Sequence, residues 1–173
     1  MSTAGGLRGP FTRYWVSAFL ADFGDGIRMA AFPLLAAGLS SSPVAVGAVL
    51  AVQGLPWLVF GPGIGVLVDR LDLRRVMVVV DVAQGVLVIG LAAAVATGSA
   101  GLPLVYAVAL AAGAGAMARD TAAATAVPRL VDDEHLQSAN GRLQTGSLVG
   151  SELAGPAALS LIHISEPTRR YAI

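Results

Sequence analysis

The chain has 173 residues and no net charge; 55% of its residues are hydrophobic, 13% are charged, and the mean hydropathy is +0.74. A soluble domain carries about a quarter charged residues, so this composition predicts an integral membrane protein. The zero net charge gives no reason to expect a nucleic-acid partner, and the absence of cysteine excludes disulfides, thiolate nucleophiles and zinc–thiolate sites.

The first predicted element is a membrane-spanning helix over Tyr14–Leu39, which follows a short polar segment, residues 1–13. The apolar run is too long for the hydrophobic region of a signal peptide, and it contains Asp22, Asp25 and Arg28. We therefore predict that this helix stays in the mature protein and that residues 1–13 are cytoplasmic.

Two long stretches without any charge follow, between Met29 and Val68 and between Val82 and Ala118. Each is about twice the roughly 20 residues that cross a bilayer, and each is interrupted near its middle by turn residues. Each stretch therefore predicts two spanning helices joined by a short turn, in an all-α membrane fold. The predicted spans after the first are Val44–Val68, Val76–Thr97, Leu102–Val127 and Leu136 to about Ala158.

Arginine residues mark one side of the predicted bundle. They precede the first helix and lie in the connections after the second and fourth helices, whereas the two intervening turns have none. Cytoplasmic loops carry an excess of positive charge, so the N-terminus and these two connections are predicted to be cytoplasmic. Tyr14 and Trp15 suit the inner interface as aromatic anchors. The arginines in question are Arg8, Arg13, Arg70, Arg74, Arg75 and Arg129.

The connection between the second and third helices resembles the major facilitator signature, G-x-L-a-D-R-x-G-R-[KR]. From residue 65 to residue 75 the chain reads GVLVDRLDLRR. Asp72 replaces the usual glycine and Leu73 the usual arginine, so we expect the charge interactions of this loop to be rearranged. The candidate conformational motif consists of Gly65, Asp69, Arg70, Arg74 and Arg75.

The residue types of this motif have physical explanations. Gly65 would permit close approach by another helix, and Gly61 lies one helical turn before it. Asp69 stands at a membrane boundary, where it can meet a helix N-terminus or an arginine in a contact that differs between two conformations. The alternative interpretation is a solvated turn whose arginines only set the topology.

After the fourth helix the chain reads VPRLV at residues 127–131, followed by Leu136 and by ANGRLQ at residues 139–144. These residues resemble the cytoplasmic connection of the enterobactin-exporter and macrolide-efflux branch of the same superfamily. Gly155 and Pro156 stand where the fifth-helix motif of the antiporters has its Gly-Pro, although Arg142 and Ser151 occupy the places of its upstream glycines. The resemblance covers residues 11–158.

The C-terminal segment, residues 159–173, does not continue the pattern of a membrane helix. Its first eleven residues, LSLIHISEPTR, match the translation of a sequencing-library transposon adapter. Leu159 and Ser160 stand where the antiporter motif has two glycines. We predict that this segment is non-native and that the natural chain continued past Ala158. The alternative is an ordinary polar C-terminal tail.

Three charged residues of the first helix recur every three positions and so lie along one stripe: Asp22, Asp25 and Arg28. Asp25 lies about 15 Å from Trp15 along the helix, near the bilayer midplane, where a charge costs at least about 2.5–3.5 kcal/mol. Asp25 is therefore predicted to be a proton-coupling or substrate-contacting carboxylate; the alternative is an Asp25–Arg28 ion pair that only fixes packing. Glu152, expected on a small-residue face of the fifth helix, has two similar interpretations.

The remaining intramembrane charges are predicted to be structural. Asp81 is expected to pair with the arginine loop, residues 70–75, while Arg119 and Asp120 are expected to reach the cytoplasmic interface from the fourth helix. The Gly113–Gly115 run is not followed by lysine or serine, so it does not predict a phosphate loop. No catalytic triad or metal-ligand cluster is evident, and we predict neither a cofactor nor enzymatic activity.

The resemblance implies that residues 14–158 are helices one to five of a six-helix major facilitator half. In that family two such halves rock about a central site. The implied function is proton-driven export of a drug, macrolide or siderophore across a bacterial plasma membrane. The implied partners are the substrate, protons, the lipid bilayer and the missing C-terminal half of the same chain. The alternatives are a non-transporting scaffold or assembly protein, which would not need midplane carboxylates, and a membrane-embedded enzyme, which would need a catalytic constellation.

Overall fold

The computed structural model describes residues 9–68, 71–154 and 157, and the described residues form helices joined by short turns. The α-helices are α1 (Pro10–Leu39), α2 (Pro43–Val68), α3 (Leu73–Ala96), α4 (Leu102–Ala126) and α5 (Leu136–Ser147). Two short 3-10 turns, Val127–Arg129 and Asp133–His135, connect α4 to α5, and a π-helix, Leu148–Ala154, continues α5. The all-α fold with five helices is confirmed, and the fifth differs from the prediction in that its second half is a π-helix.

Three of the five helices contain segments that are long and apolar enough to cross a membrane, as judged over the described residues. These segments are Pro43–Gly61, Leu73–Ala96 and Leu102–Arg129. Helix α1 has 30 residues, but charges interrupt its apolar run, and the 12 residues of α5 are largely polar. The spans predicted for α1 and α5 therefore stay predictions.

One face of α3 is both exposed and apolar. Val79, Val82, Val86 and Ile89 are all exposed, and their spacing of three and four residues places them on one side of the helix. A continuous apolar stripe on a surface is unfavourable in water, whereas lipid tails are as apolar as the side chains themselves. The stripe is therefore suited to a lipid-facing surface.

The turns form where the sequence predicts them, and local residues explain why. Helix α3 ends at a turn in which Gly98 has φ +70°, a left-handed conformation that favours glycine. The Thr97 hydroxyl donates to the Ala93 carbonyl at 3.0 Å, so it satisfies a terminal acceptor of the helix. Helix α4 starts just after Gly101, with a proline in its first turn, a position that needs no backbone donor.

The described residues form two compact units. Unit 1 contains residues 9–31 and the residues from Gln137 onward, and unit 2 is Phe32–Leu136. The boundary falls inside α1, one residue before Pro33. A proline inside a helix removes one backbone hydrogen bond, which in α1 would have gone to the carbonyl of Met29.

In unit 2, α4 packs against both α2 and α3. The Tyr106 hydroxyl donates to the Ala45 carbonyl at 2.9 Å, and Gly113 lies against Gln53 further along both helices. Helices α2 and α4 therefore run parallel. The principal core cluster contains Phe32, Ala36, Val49, Leu91, Val105, Val108, Ala109 and Ala112. A second cluster contains Val68, Leu73, Ala122 and Ala126. These pairings place the start of α3 beside the end of α4, so the two helices run antiparallel.

In unit 1, α1 packs against α5 and the π-helix. Trp15 Nε1 donates to the Arg142 carbonyl at 3.0 Å, and further along both helices Gly150 lies against the backbone of Phe19 and Phe23. The two helices therefore run parallel. Parallel first and fifth helices are what a chain that crosses the bilayer with alternating direction requires, although the cytoplasmic orientation of the N-terminus stays a prediction.

Candidate functional site

The charged stripe of α1 contains an ion pair within one helix. Arg28 Nη2 lies 3.0 Å from Asp25 Oδ1, three residues earlier in the chain. The Arg28 side chain is 7% exposed and the Asp25 side chain 26% exposed. The side-by-side arrangement expected from the spacing is confirmed. The contact is compatible with both a coupling role and a purely structural one, so the role of Asp25 stays a prediction.

Glycines bring the π-helix against this stripe. A Cβ atom at Gly26, the residue after Asp25, would overlap the backbone of Ser151. A Cβ at Gly150 would lie 3.2 Å from the Phe19 carbonyl oxygen and 3.3 Å from Asp22 Cβ. Small residues allow helix backbones to approach this closely in membranes. The backbone of the π-helix therefore covers one side of the stripe, next to the ion pair.

Glu152 is placed differently from the sequence expectation. Gly150 is buried against α1, whereas Glu152 is exposed, so the two residues do not share a face. The physical reason is the spacing, because residues two apart do not face the same side of a helix. The coupling role suggested for Glu152 stays a prediction. Gly155 and Pro156, the fifth-helix motif, lie outside the described residues.

Unit 2 contains an ion pair that connects two helices. Arg119 Nε on α4 donates to Asp81 Oδ1 on α3 at 3.0 Å; the Arg119 side chain is 6% exposed and the Asp81 side chain 39% exposed. The expectation that Arg119 reaches the interface was wrong, because Arg119 is buried against Asp81. Arg70 lies outside the described residues, so a further contact of Asp81 with the arginine loop stays a prediction. Asp81 lies about 12 Å from the start of α3, and Arg119 about 10 Å from the adjacent end of α4, so antiparallel packing brings them to one level. The sequence contains both depths, but they indicate a pair only once α3 and α4 are known to be neighbours.

The glycine run of α4 serves helix packing. A Cβ at Gly113 would overlap the backbone carbonyl of Gln53 on α2, and a Cβ at Gly115 would lie 3.0 Å from Gln84 Nε2 on α3. Gly61, by contrast, has open space around it within the described residues. The close helix approach predicted for Gly65 and Gly61 stays a prediction, since the surroundings of Gly65 are not described. A close approach is found at Gly113, where α2 and α4 meet near their middles.

The loop between α2 and α3 is described only in part. Gly65 lies within α2, but its surroundings, like Asp69 and Arg70, lie outside the described residues. Arg74 and Arg75 are exposed at the start of α3. The conformational role of this motif therefore stays a prediction.

Asp72 has a local role as the N-cap of α3. Its Oδ1 accepts from the backbone N–H of Arg75 at 3.1 Å, and its Oδ2 lies 3.7 Å from Arg75 Nε. An N-cap contributes about 1 kcal/mol, whereas an exposed pair of this kind contributes little. The aspartate that stands in place of the signature's glycine is thus explained by helix initiation, a signal that the sequence also contains.

A family comparison agrees with this architecture. The family model of the Major Facilitator Superfamily matches residues 14–168. The chain belongs to the Major Facilitator Superfamily. No curated protein and no solved structure matches the chain. The match ends at residue 168, inside the segment predicted to be adapter translation, so it does not test whether that segment is native.

Membership of this superfamily makes the chain a protein of the major facilitator transporter type, whose members move small molecules across membranes. The apolar helices suit such a role, and the two ion pairs supply ionisable groups inside the bundle. Within the described part of the chain, no group of three or more histidine, cysteine or acidic residues could hold a metal ion.

Proposed function

We propose that the chain forms part of a proton-coupled exporter of small molecules that works by alternating access. The observation that carries this proposal is the buried ion pair between Asp25 and Arg28 in the middle of α1. Ionisable groups at this depth are costly and mark substrate or proton pathways in membrane proteins. The transporter family of the chain supports small-molecule transport, the coarser part of the proposal.

The two members of the pair differ in exposure. Asp25 is 26% exposed and Arg28 is 7% exposed, and arginine does not lose its proton in proteins. The carboxylate is therefore the member that can gain and release a proton. Neutralising it would remove a charge partner from a buried guanidinium, and removal of one partner from a buried pair costs about 3–5 kcal/mol. That energy would shift an equilibrium between two conformations about a hundredfold or more. Asp22 and Glu152 are further candidates for the same role.

The signature loop would supply the contact that changes between conformations. The Asp72 carboxylate is engaged at the N-cap of α3, so we assign the conformational contact to Asp69. Gly65 would admit a neighbouring helix, and Arg70, Arg74 and Arg75 would provide the positive charge. In this assignment the cap fixes the start of α3 while Asp69 changes partners.

The substrate class rests on resemblance. The connection between α4 and α5 resembles that of the enterobactin-exporter and macrolide-efflux branch, and the Gly155-Pro156 pair resembles the antiporters' fifth-helix motif. We therefore propose a drug, a macrolide or a siderophore as substrate, with transport across a bacterial plasma membrane. The cargo pathway would be completed by a C-terminal half of the same chain.

The test is uphill export by the full-length protein in proteoliposomes with an imposed proton gradient. Asp25→Asn keeps the size of the side chain and removes its charge, so uphill export should be lost while downhill exchange stays measurable. The matched control is Asp25→Asn/Arg28→Gln, which removes the pair together. Restored uphill export in the double variant would contradict proton transfer at Asp25. Absence of any export by the unaltered protein would favour a scaffold.

We also propose that residues 159–173 are translated from an adapter. Amplification of the native locus should then give small apolar residues after Ala158 that continue a membrane helix. The measurement is the sequence of independently cloned genomic DNA. An unchanged LSLIHI sequence at that position would contradict the proposal.

A further inference from the structure

A groove of about 930 Å³ lies in unit 1 between the N-terminal part of α1 and α5, and it extends to the start of the π-helix. On one wall the rings of Trp15 and Phe19 stack with their centroids 5.8 Å apart and their planes inclined by 20°. The indole N–H of Trp15 donates to the Arg142 carbonyl, which fixes the ring, and Gly146 provides the space beside it. The wall is therefore built by specific contacts.

The polarity of the groove changes along its length. Ser138 and Arg142 line it in the first two turns of α5, whereas Val149 and Phe19 line it about 10–16 Å further along the parallel helices. The headgroup region of each leaflet is roughly 5–8 Å thick, and apolar acyl chains lie beneath it. The groove is polar at its entrance and aromatic and aliphatic further in, which is the same order as the headgroup and acyl chains of a phospholipid.

The charged side chain that lines the groove, Arg142, is positive. Among the described residues of unit 1, Arg13 and Arg142 are exposed near the starts of α1 and α5. The acidic residues of the same unit, Asp22, Asp25 and Glu152, come after Phe19 and Val149 in the parallel helices. Asp132, Asp133 and Glu134 are exposed in the connection before α5 but do not line the groove. An anionic group in the groove would therefore meet Arg142.

We propose that this groove binds one anionic phospholipid of the cytoplasmic leaflet. Arg142 would pair with the phosphate, the hydroxyl of Ser138 would donate to one of its oxygens, and an acyl chain would lie along Trp15 and Phe19. The volume lies within the roughly 300–1,000 Å³ of known ligand pockets. A second helix in the groove would have to bury the guanidinium and hydroxyls, which is unfavourable without partners. The proposal rests on the predicted orientation and is independent of proton coupling.

The experiment uses Trp15 as a fluorescent reporter in the complete 173-residue chain. The chain has two tryptophans, so Trp57→Phe leaves Trp15 as the single one. The protein is reconstituted in phosphatidylcholine vesicles that contain a minor fraction of either brominated phosphatidylglycerol or brominated phosphatidylcholine, whose bromines quench tryptophan on contact. We expect phosphatidylglycerol to quench about fivefold more effectively at equal fraction, the factor that one arginine is worth at an anionic surface.

Two variants identify the source of the preference. Arg142→Gln should remove it, because the charge is lost while the backbone carbonyl that holds Trp15 remains. Arg13→Gln is the matched control, since Arg13 is exposed near the start of α1 but does not line the groove. This control should keep most of the preference. Circular dichroism verifies that each variant keeps its helical content.

Three results would overturn the proposal. Equal quenching by the two lipids would show that the site does not select an anionic headgroup. Absence of quenching by either lipid would show that protein covers the groove. Equal losses in Arg13→Gln and Arg142→Gln would assign the preference to diffuse surface charge.

Discussion

The two units hold their buried arginines in different ways. In unit 1, Arg28 pairs with Asp25 three residues earlier on the same helix, and in unit 2, Arg119 pairs with Asp81 on a neighbouring helix. Both pairs have one atom-to-atom distance of 3.0 Å and one side chain that is less than a tenth exposed. The local chemistry is therefore nearly the same, and the difference lies in what each pair connects.

Because of that difference, we expect the Asp25–Arg28 pair to change during transport and the Asp81–Arg119 pair to hold two helices together. The Asp25–Arg28 pair can form or break without separating two helices, because both side chains belong to α1. Loss of the Asp81–Arg119 pair removes a contact between α3 and α4. Removal of one partner should lower stability in either pair, because a buried arginine remains. When both partners are removed together, we expect only loss of the first pair to abolish uphill export.

The largest expected effect on stability is that of Asp81→Asn. This change leaves Arg119 buried without its carboxylate, which should lower the free energy of unfolding by about 3–5 kcal/mol. The measurement is denaturant or thermal unfolding in detergent micelles, followed by circular dichroism. The matched comparison is Asp81→Leu/Arg119→Leu, which replaces the pair with apolar side chains and should recover most of the loss.

The two pairs can also be compared by measuring uphill export by the full-length protein. Asp81→Leu/Arg119→Leu should retain uphill export, whereas Asp25→Leu/Arg28→Leu should not. Loss of export in both double variants, with intact folding, would show that the interhelical pair also takes part in transport and that the distinction between the two pairs is incorrect.

A smaller effect is expected where glycine lets helices of unit 2 approach. Gly113→Ala would place a methyl group on the backbone carbonyl of Gln53, so α2 and α4 would have to separate slightly. Overpacking of this kind costs about 1–3 kcal/mol. Gly61→Ala is the control, because Gly61 has open space and alanine favours a helix by up to about 1 kcal/mol. Equal unfolding midpoints for the two variants would contradict the close packing at Gly113.

The smallest effect is expected at the start of α3. Asp72→Ala removes the side-chain acceptor for the backbone N–H of Arg75 and should lower stability by about 1 kcal/mol. Asp72→Ser keeps an N-cap acceptor without the carboxylate charge and should restore most of the loss. If serine fails to restore stability, the contribution of Asp72 comes from its charge near Arg75 instead of from the cap.

Local patterns in the sequence determined much of this protein. The turn residues after Leu39 and Ala96 place the ends of α1 and α3 because glycine, serine and proline act on the backbone within a few residues. The ion pair between Asp25 and Arg28 was predictable for the same reason, since positions three apart on one helix are neighbours. The cap at Asp72 is also local and could have been recognised.

Contacts between helices were decided only by the tertiary structure. The sequence contains Asp81, Arg119 and Gly113, but it does not specify which helices become neighbours or at what register they pack. The conversion of α5 into a π-helix opposite Gly26 and Phe19 is likewise absent from local propensity. Apolar side chains gain little from choosing one helix over another in lipid, so partner choice depends on small residues and polar pairs that match only when two helices meet.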